Sequence, residues 1–413
     1  MPLSHSTVTD LFTDIASTIR SKTGSNSPIV ADAFPAAINA IDVMTDIDKA
    51  NLGIFKGQYQ YITLSDTMLL PKTGMYCSVT QEWCNSFSGI GTGQFLKRFF
   101  NNNSDWTFTN AAYVSEYAFY NTGTTTTGYS LNNFNFPNCT YIGSNAFCNS
   151  NIAQINAPVC KNIGSSAFYW CTKLSSISFP VCTSIGGSAF QSCLGLTTVN
   201  FPVCTTIGTY AFASCTALTS VSFPACKSIG YATFSWCSAL TSVSFPACTN
   251  IGGYAFESCP SLASVNFPVC TSIGYGAFQH GYSLINISFP NCTSIGGYAF
   301  AQCSSLTTAN FPSCTTIGDY AFQYCTTLTS ISFPACTFIG YAFGYCYNLL
   351  SLYLLGSSVC SLAGVNAFVG TPIFGYTSST GGVYGSIYVP ASLLASYKTA
   401  TNWAAYSSRF VGV

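Results

Sequence analysis

The residues best equipped for chemistry are the cysteines, twenty-two of them in 413 residues. Twenty fall into two periodic series. One follows Phe-Pro-x and runs Cys139, Cys160, Cys182, Cys204, Cys226, Cys248, Cys270, Cys292, Cys314 and Cys336, with Cys360 as a degenerate echo. The other follows Ala-Phe-x-x and runs Cys148, Cys171, Cys193, Cys215, Cys237, Cys259, Cys303, Cys325 and Cys346, with Gly281 standing in at its seventh place. Only Cys77 and Cys84 lie outside both. Zinc needs close pairs such as C-x2-C meeting a second pair. Neighbouring cysteines here are about half a repeat apart, so no metal is expected.

Other chemistries fare no better. Nucleophilic catalysis needs a base, and neither His5 nor His280 has a nucleophile and an acid nearby in sequence. Glycoside hydrolysis needs two facing carboxylates. Beyond Leu131 the acids are Glu257 and Asp319, about three repeats and so roughly 14 Å apart. Glu82, Asp105 and Glu116 could pair ahead of the repeats, but no motif joins them. No phosphate-binding glycine loop is present. The expectation is a protein that is not an enzyme, with no catalytic residue and no cofactor.

The cysteines are spaced by the element that carries them. LTSVSFPAC begins at Leu218 and again, unchanged, at Leu240. Aligned on cysteine, the unit is L-x-x-V-x-F-P-x-C-x-x-I-G-x-x-A-F-x-x-C-x-x, whose first nine positions match the leucine-rich pattern. One copy supplies Leu174, Ile177, Phe179 and Cys182; another supplies Leu306, Ala309, Phe311 and Cys314. Leu to Phe predicts a short parallel strand, ended by proline, which has no N–H for a ladder. The Ile-Gly step (Ile207-Gly208, Ile251-Gly252, Ile295-Gly296) is expected to turn the chain, through glycine's tolerance of unusual backbone shapes. Phe212 and Phe256 then return to the core, each ring worth roughly 1.5–3 kcal/mol of burial. A single coil would leave its top and bottom wet, so each must be covered by a neighbour.

Eleven strands are counted, starting at Leu131, Ile152, Leu174, Leu196, Leu218, Leu240, Leu262, Leu284, Leu306, Leu328 and Leu349. At about 4.8 Å per strand the sheet is roughly 50 Å long. The fold class is a repeat solenoid of the α/β leucine-rich type, with about 11 coils of 22 residues. A small helical N-terminal module and a C-terminal cap complete it. In such a stack the thiols form two buried columns, each thiol filling a small apolar slot. Coil spacing puts neighbouring Cα atoms within disulfide range, so bridges stay open on geometry. The N-terminus MPLSHSTVTDLFTDI lacks a basic n-region followed by an apolar h-region, which favours a reducing site of synthesis and free thiols.

Net charge is zero, so nothing points to nucleic acid or an anionic membrane as partner. Ten of the twelve acids precede Leu131. Between Leu131 and Leu350 only Lys161, Lys173, Lys227, Glu257 and Asp319 are charged, so solubility rests on Ser, Thr, Asn, Gly and Tyr. No apolar run approaches the roughly 20 residues of a membrane-spanning helix.

The unit from Leu131 to about Leu355, with its I-G-x-x-A-F-x-x-C-x-x-L-x-x-V-x-F-P signature, resembles the BspA-like, or Treponema-type, leucine-rich repeat. The tail IYVPASLLASYKTATNW (Ile387 to Trp403) resembles the segment that closes such arrays, with Leu393, Leu394 and Tyr397 as the apolar face of a short helix. LFTDIASTIRSKTGSNSPIVADAFPAAINAI (Leu11 to Ile41) is similar to a module of phage tail and structural proteins. Leu11, Ile15 and Ile19 make a helical stripe that Gly24 is placed to end, read as a plain core face before an oligomerisation seam. The division is 1–44 attachment module, 45–130 connector and N-terminal cap, 131–355 solenoid and 356–413 C-terminal cap. YVSEYAF (Tyr113 to Phe119), inside the connector, looks like a decayed half-repeat.

These resemblances imply a virion adhesion protein, such as a tail fibre or receptor-binding appendage. It would be a homo-oligomer assembled in the host cytoplasm, joined to other virion proteins through the N-terminal module. Its ligand would be a glycan or protein of a bacterial surface. The rivals are a BspA-like adhesin on the bacterial surface or secreted, and a ligand-free structural spacer. Two surfaces are candidates for contact. The strand face presents Ser220, Ser242, Ser264, Asn266 and Asn286; another face carries Tyr210, Tyr254, Tyr298 and Tyr320 at one repeat position and Trp170, Trp236 and Tyr324 at a second. Aromatic rows stack on sugars or pack on proteins. The plainer alternatives are uncharged solubilisation for the hydroxyls, inter-coil packing for the tyrosines and surface substitution for His280.

Overall fold

A computed structural model describes residues 105–108, 111–114, 116–120, 131–375 and 384–413. The N-terminal module and most of the connector, with Cys77, Cys84, Glu82 and His5, lie outside the described residues. Within them the repeat is a solenoid coil. In the coil from Leu218, the buried residues Leu218, Phe223, Cys226, Ile229, Phe234 and Cys237 alternate with exposed Thr219, Ser220, Ser222 and Pro224. Apolar positions at period 2 make the strand Ser220–Ser222, and Phe-Pro closes it. Strands stack parallel and in register, so that Val199, Val221, Val243 and Val265 lie side by side. Each strand is shorter than the Leu-to-Phe span. The strands from Asp105–Thr107 to Phe410–Gly412 form three sheets of four, four and six strands.

A second ladder runs through every coil. Two-residue strands from Tyr113–Val114 to Ser361–Leu362 make a twelve-stranded parallel sheet, with Ile207, Ile229, Ile251 and Ile273 in register. Tyr113 to Phe119 is therefore part of a coil, and the solenoid has about one coil more than the strand count from sequence. Its Phe119 stacks on Phe147 at 4.7 Å and 4°.

The Ile-Gly step is not the turn expected from sequence. Its isoleucine ends a strand, and its glycine is needed for closeness. A Cβ at Gly208 would sit 2.5 Å from the Gly187 nitrogen, and one at Gly252 would sit 2.7 Å from the Gly230 carbonyl. The left-handed backbone falls instead on two other positions. One directly precedes Ala-Phe (Tyr210, Tyr254, Tyr298, Tyr320); the other precedes the second cysteine (Trp170, Ser214, Trp236, Ser258), with φ between 54° and 62°. The adjacent glycines 186 and 187 separate the two effects. A Cβ at Gly186 meets Ser165 and Gly164 backbone at 2.5–2.9 Å, whereas one at Gly187 meets the Thr209 carbonyl at 3.4 Å. Gly186→Ala should therefore cost about 1–3 kcal/mol in urea melts, and Gly187→Ala less than about 1.

Phenylalanines fill the interior as two parallel columns. The Ala-Phe column (Phe190, Phe212, Phe234, Phe256, Phe278) stacks at 5.1–5.4 Å with 6–7° between planes. The Phe-Pro column (Phe201, Phe223, Phe245, Phe267) stacks beside it and meets it at steeper angles. Coil spacing sets the ring spacing. At the C-terminus, Leu394–Thr399 is a short helix with Tyr397 buried; Leu393 and Leu394 pack against the core, and Trp403 is fully buried. The Tyr397 hydroxyl accepts the Cys360 N–H at 2.9 Å, and the Trp403 Nε1–H donates to the Cys360 carbonyl at 2.6 Å. Ser386–Val389 and Phe410–Gly412 extend the sheet over the last coil and so cover its apolar C-terminal end.

Candidate functional site

All twenty periodic cysteines are buried free thiols. In the first column the S–H donates to the carbonyl two residues on, as from Cys226 to Ser228 at 3.2 Å. In the second it donates to a phenylalanine carbonyl of the preceding coil, as from Cys237 to Phe212 at 3.2 Å. Burial pushes Cys215 and Cys226 up to about 12, and Cys237 well above the usual thiol range. Thiols held neutral and covered are neither nucleophiles nor ligands at neutral pH.

The other polar groups serve the stack. Asp319 Oδ1 accepts the Tyr341 N–H at 3.0 Å, and Glu257 Oε1 accepts the Ser258 hydroxyl at 3.4 Å. Glu116 is exposed. His280, half-buried, places Nδ1 3.1 Å from both the Tyr282 hydroxyl and Gln302 Oε1, so it joins two coils. Among the described residues no three metal-binding side chains gather.

The strand face is laid out as expected, with Ser220, Ser242, Ser264, Asn266 and Asn286 exposed. Part of it is tied up between coils. Asn266 Nδ2 donates to Ser244 Oγ at 3.0 Å, and Asn286 Oδ1 accepts from the hydroxyls of Thr307 and Thr308. Thr219, Thr241 and Thr307 each donate to a carbonyl of the preceding coil.

The aromatic face is more organised than its repeat positions indicate. Tyr210, Tyr254, Tyr298 and Tyr320 do not form the row alone. Tyr231 and Tyr275 fill its gaps, giving an unbroken ladder Tyr210–Tyr231–Tyr254–Tyr275–Tyr298–Tyr320 with centroids 4.8–5.5 Å apart. Sequence alignment missed these two because they sit one residue earlier in their coils, as Tyr231-Ala-Thr-Phe and Tyr275-Gly-Ala-Phe. The shifted tyrosine before an Ala or Gly was the signal. The rings pack on one another: Tyr210, Tyr231 and Tyr275 remain exposed, at 38%, 44% and 48%, and Tyr254, Tyr298 and Tyr320 are half-buried. Trp236 stands beside the ladder at 57% exposure, whereas Trp170, 52% exposed, lies in a coil before the ladder begins and packs near Tyr169.

Among the described residues, half of the left-handed ones other than glycine are Tyr, Trp or His. That conformation costs a side-chain-bearing residue roughly 1–2 kcal/mol, and Asn or Gly relieves it. Other coils do place Asn145, Ser166 or Ser188 there. Where Ala232 takes the tyrosine position, a recess of about 280 Å³ opens, lined by Gln191, Tyr210, Tyr231, Trp236, Tyr254 and Glu257. Aromatic faces beside an amide and a carboxylate suit a sugar ring or a peptide, since flat apolar surface and directed hydrogen bonds meet in one place.

Matches to the BspA type leucine rich repeat region span residues 90–219, 161–284, 205–329 and 271–375, well over half of the chain. The chain belongs to the BspA-type leucine-rich repeat family. No curated protein matches it. Among solved structures, this BspA-type solenoid is similar to a leucine-rich repeat protein from Bacteroides ovatus at 22% identity, covering 76% of this chain and 94% of that one, with a TM-score of 0.42. A leucine-rich cell surface protein of Faecalibacterium prausnitzii matches at 21% identity, covering 70% and 92%, with a TM-score of 0.42. The pneumococcal vaccine antigen PcpA matches at 16% identity, covering 79% and 83%, with a TM-score of 0.45.

Proposed function

We propose that this chain is a non-enzymatic adhesion solenoid, displayed on a bacterial surface, that holds a polymeric or densely repeated ligand along its aromatic face. The observation that carries this reading is the unbroken tyrosine ladder with exposed Trp236 beside it, in which Tyr210, Tyr254, Tyr298, Tyr320 and Trp236 occupy backbone positions that disfavour large side chains. Repetition supplies strength, because one weak contact per coil along about 50 Å becomes avidity. Membership of the BspA-type leucine-rich repeat family favours bacterial display. The virion reading rests on residues 11–41, which lie outside the described residues.

Purified protein should bind intact bacterial cells, with polymeric surface glycan competing well and monomeric sugars poorly. So few charges in the array make binding nearly insensitive to salt. Tyr254→Ala, Tyr298→Ala and Tyr320→Ala combined should weaken binding about tenfold or more while circular dichroism is unchanged. Ser242→Lys, Ser264→Lys and Asn286→Lys combined tests the strand face in the same assay. Parent-like binding by both folded variants leaves the ligand-free spacer as the function.

A further inference from the structure

In ten coils the first-column thiol donates to the carbonyl two residues on; at the last coil it does not, and the Ser361 carbonyl, one residue on, lies 3.6 Å from the Cys360 sulfur. The Cys360 S–H donates to Cys336 Sγ at 3.3 Å, and both sulfurs are buried. Further down the column each thiol donates to the carbonyl two residues on, at 3.2–3.4 Å for Cys248, Cys270, Cys292 and Cys314. The cause is a slip in register. Thr316 pairs with Phe338, which sets Cys314 opposite Cys336. Phe338 pairs with Ser361, which sets Cys336 opposite Val359 and Cys360 one residue further on. The insertion in LYLLGSSVC lengthens this coil to 24 residues between cysteines, so Cys360 loses its usual carbonyl and turns to the neighbouring sulfur.

We propose that Cys336 and Cys360 are an oxidisable pair that closes to a disulfide under oxidising conditions and fastens the C-terminal cap to the array. A coil spacing of about 4.8 Å with a slip of about 3.3 Å puts the two Cα atoms about 6 Å apart. That is within the span a disulfide bridges without backbone movement. The chemistry is exchange with a low-molecular-weight disulfide. The Cys336 thiolate attacks one sulfur of the reagent and expels one thiolate, leaving a mixed disulfide on Cys336. Cys360, once deprotonated, attacks the Cys336 sulfur and expels the second. Two cysteine thiols lose two protons and two electrons, and the reagent is reduced to two thiols.

The bond would act where the solenoid is weakest, at an end with a coil on one side only. The Cys360 peptide is the one that Tyr397 and Trp403 grip, so the bridge ties the cap through it to the coil before. Cys325 and Cys346 make an internal control. They also adjoin, across a coil of 21 residues, but the Cys346 thiol still donates to the Phe322 carbonyl at 3.0 Å.

The test is independent of the adhesion reading. Full-length protein is refolded from urea in glutathione buffers of rising oxidised fraction, alkylated after denaturation in acid, and mapped by non-reducing peptide mass spectrometry. Refolding gives the oxidant access to residues that the native state covers. The expected result is one dominant cross-link among the periodic cysteines, Cys336–Cys360, with the others alkylated singly. Amide exchange in Ser386–Val389 and Leu394–Thr399 should then slow by about 100-fold relative to the reduced protein. Cys360→Ser should abolish both effects at unchanged circular dichroism. The proposal is overturned if both thiols stay alkylated in buffers that oxidise a reference dithiol. It is equally overturned if cross-links spread along the columns or favour Cys325–Cys346.

Discussion

Raised above about pH 9 in the presence of reductant, this protein is expected to unfold over roughly one pH unit. Eighteen of the twenty buried thiols have their pKa raised in the folded state, with loss of hydration on burial as the main cause in nearly all. Cys139, Cys182 and Cys292 stand at about 11, and Cys171, Cys259 and Cys303 at about 12. An unfolded thiol ionises near 8.5. Below that pH both states carry the proton and folding is indifferent to pH. Between the unfolded and folded values the native state binds more protons than the unfolded state, so stability falls as pH rises. Each thiol contributes about 1 kcal/mol of loss per pH unit, and eighteen together reach tens of kcal/mol near pH 10. A domain's whole stability is about 5–15 kcal/mol. The thiols share a direction, so the effects add. Far-ultraviolet circular dichroism followed from pH 7 to 11, with return to pH 7 to test reversibility, reads the result. A signal unchanged at pH 11 would mean that the thiol columns are not buried as described.

Phe256→Ala in mid-array should cost about 3–5 kcal/mol, whereas Ser242→Ala should cost under about 0.5. Phe256 is fully buried, stacked on Phe234 at 5.4 Å and Phe278 at 5.3 Å, and flanked by Phe245 and Phe267 at 6.1 and 6.0 Å. Its neighbours are held by their own coils and cannot close in, so the cavity persists and its cost adds to the lost burial. Ser242 is exposed on the strand face, and its loss leaves no cavity. Urea titration gives both numbers. In a one-dimensional stack the Phe256 defect should also split the transition, because coils on either side lose their shared interface. A single transition with equal losses at the two sites would mean that the inward and outward faces have been exchanged.

The sequence alone determined the coil. Spacing of Leu, Phe, Cys, Ile and Phe at fixed offsets can be satisfied only if each copy is covered by the next, so strand, core face and solenoid were legible from single residues. The two thiol columns followed from the same period. So did the exposure of Ser220, Ser242, Ser264, Asn266 and Asn286, since period-2 alternation leaves one face out. Properties that arise between coils needed the tertiary structure. A second ladder through Ile207, Ile229 and Ile251 cannot be read from two residues per coil, because parallel pairing is made with a partner 22 residues away. For the same reason Gly208 looked like a turn residue, when its missing side chain makes room for the backbone of another coil. Tyr231 and Tyr275 join the tyrosine ladder only because rings from offset positions lean into one line. The slip that turns Cys360 towards Cys336 is likewise a matter of register. Local pattern decides what each residue contributes to its own coil, and stacking decides what it meets in the next.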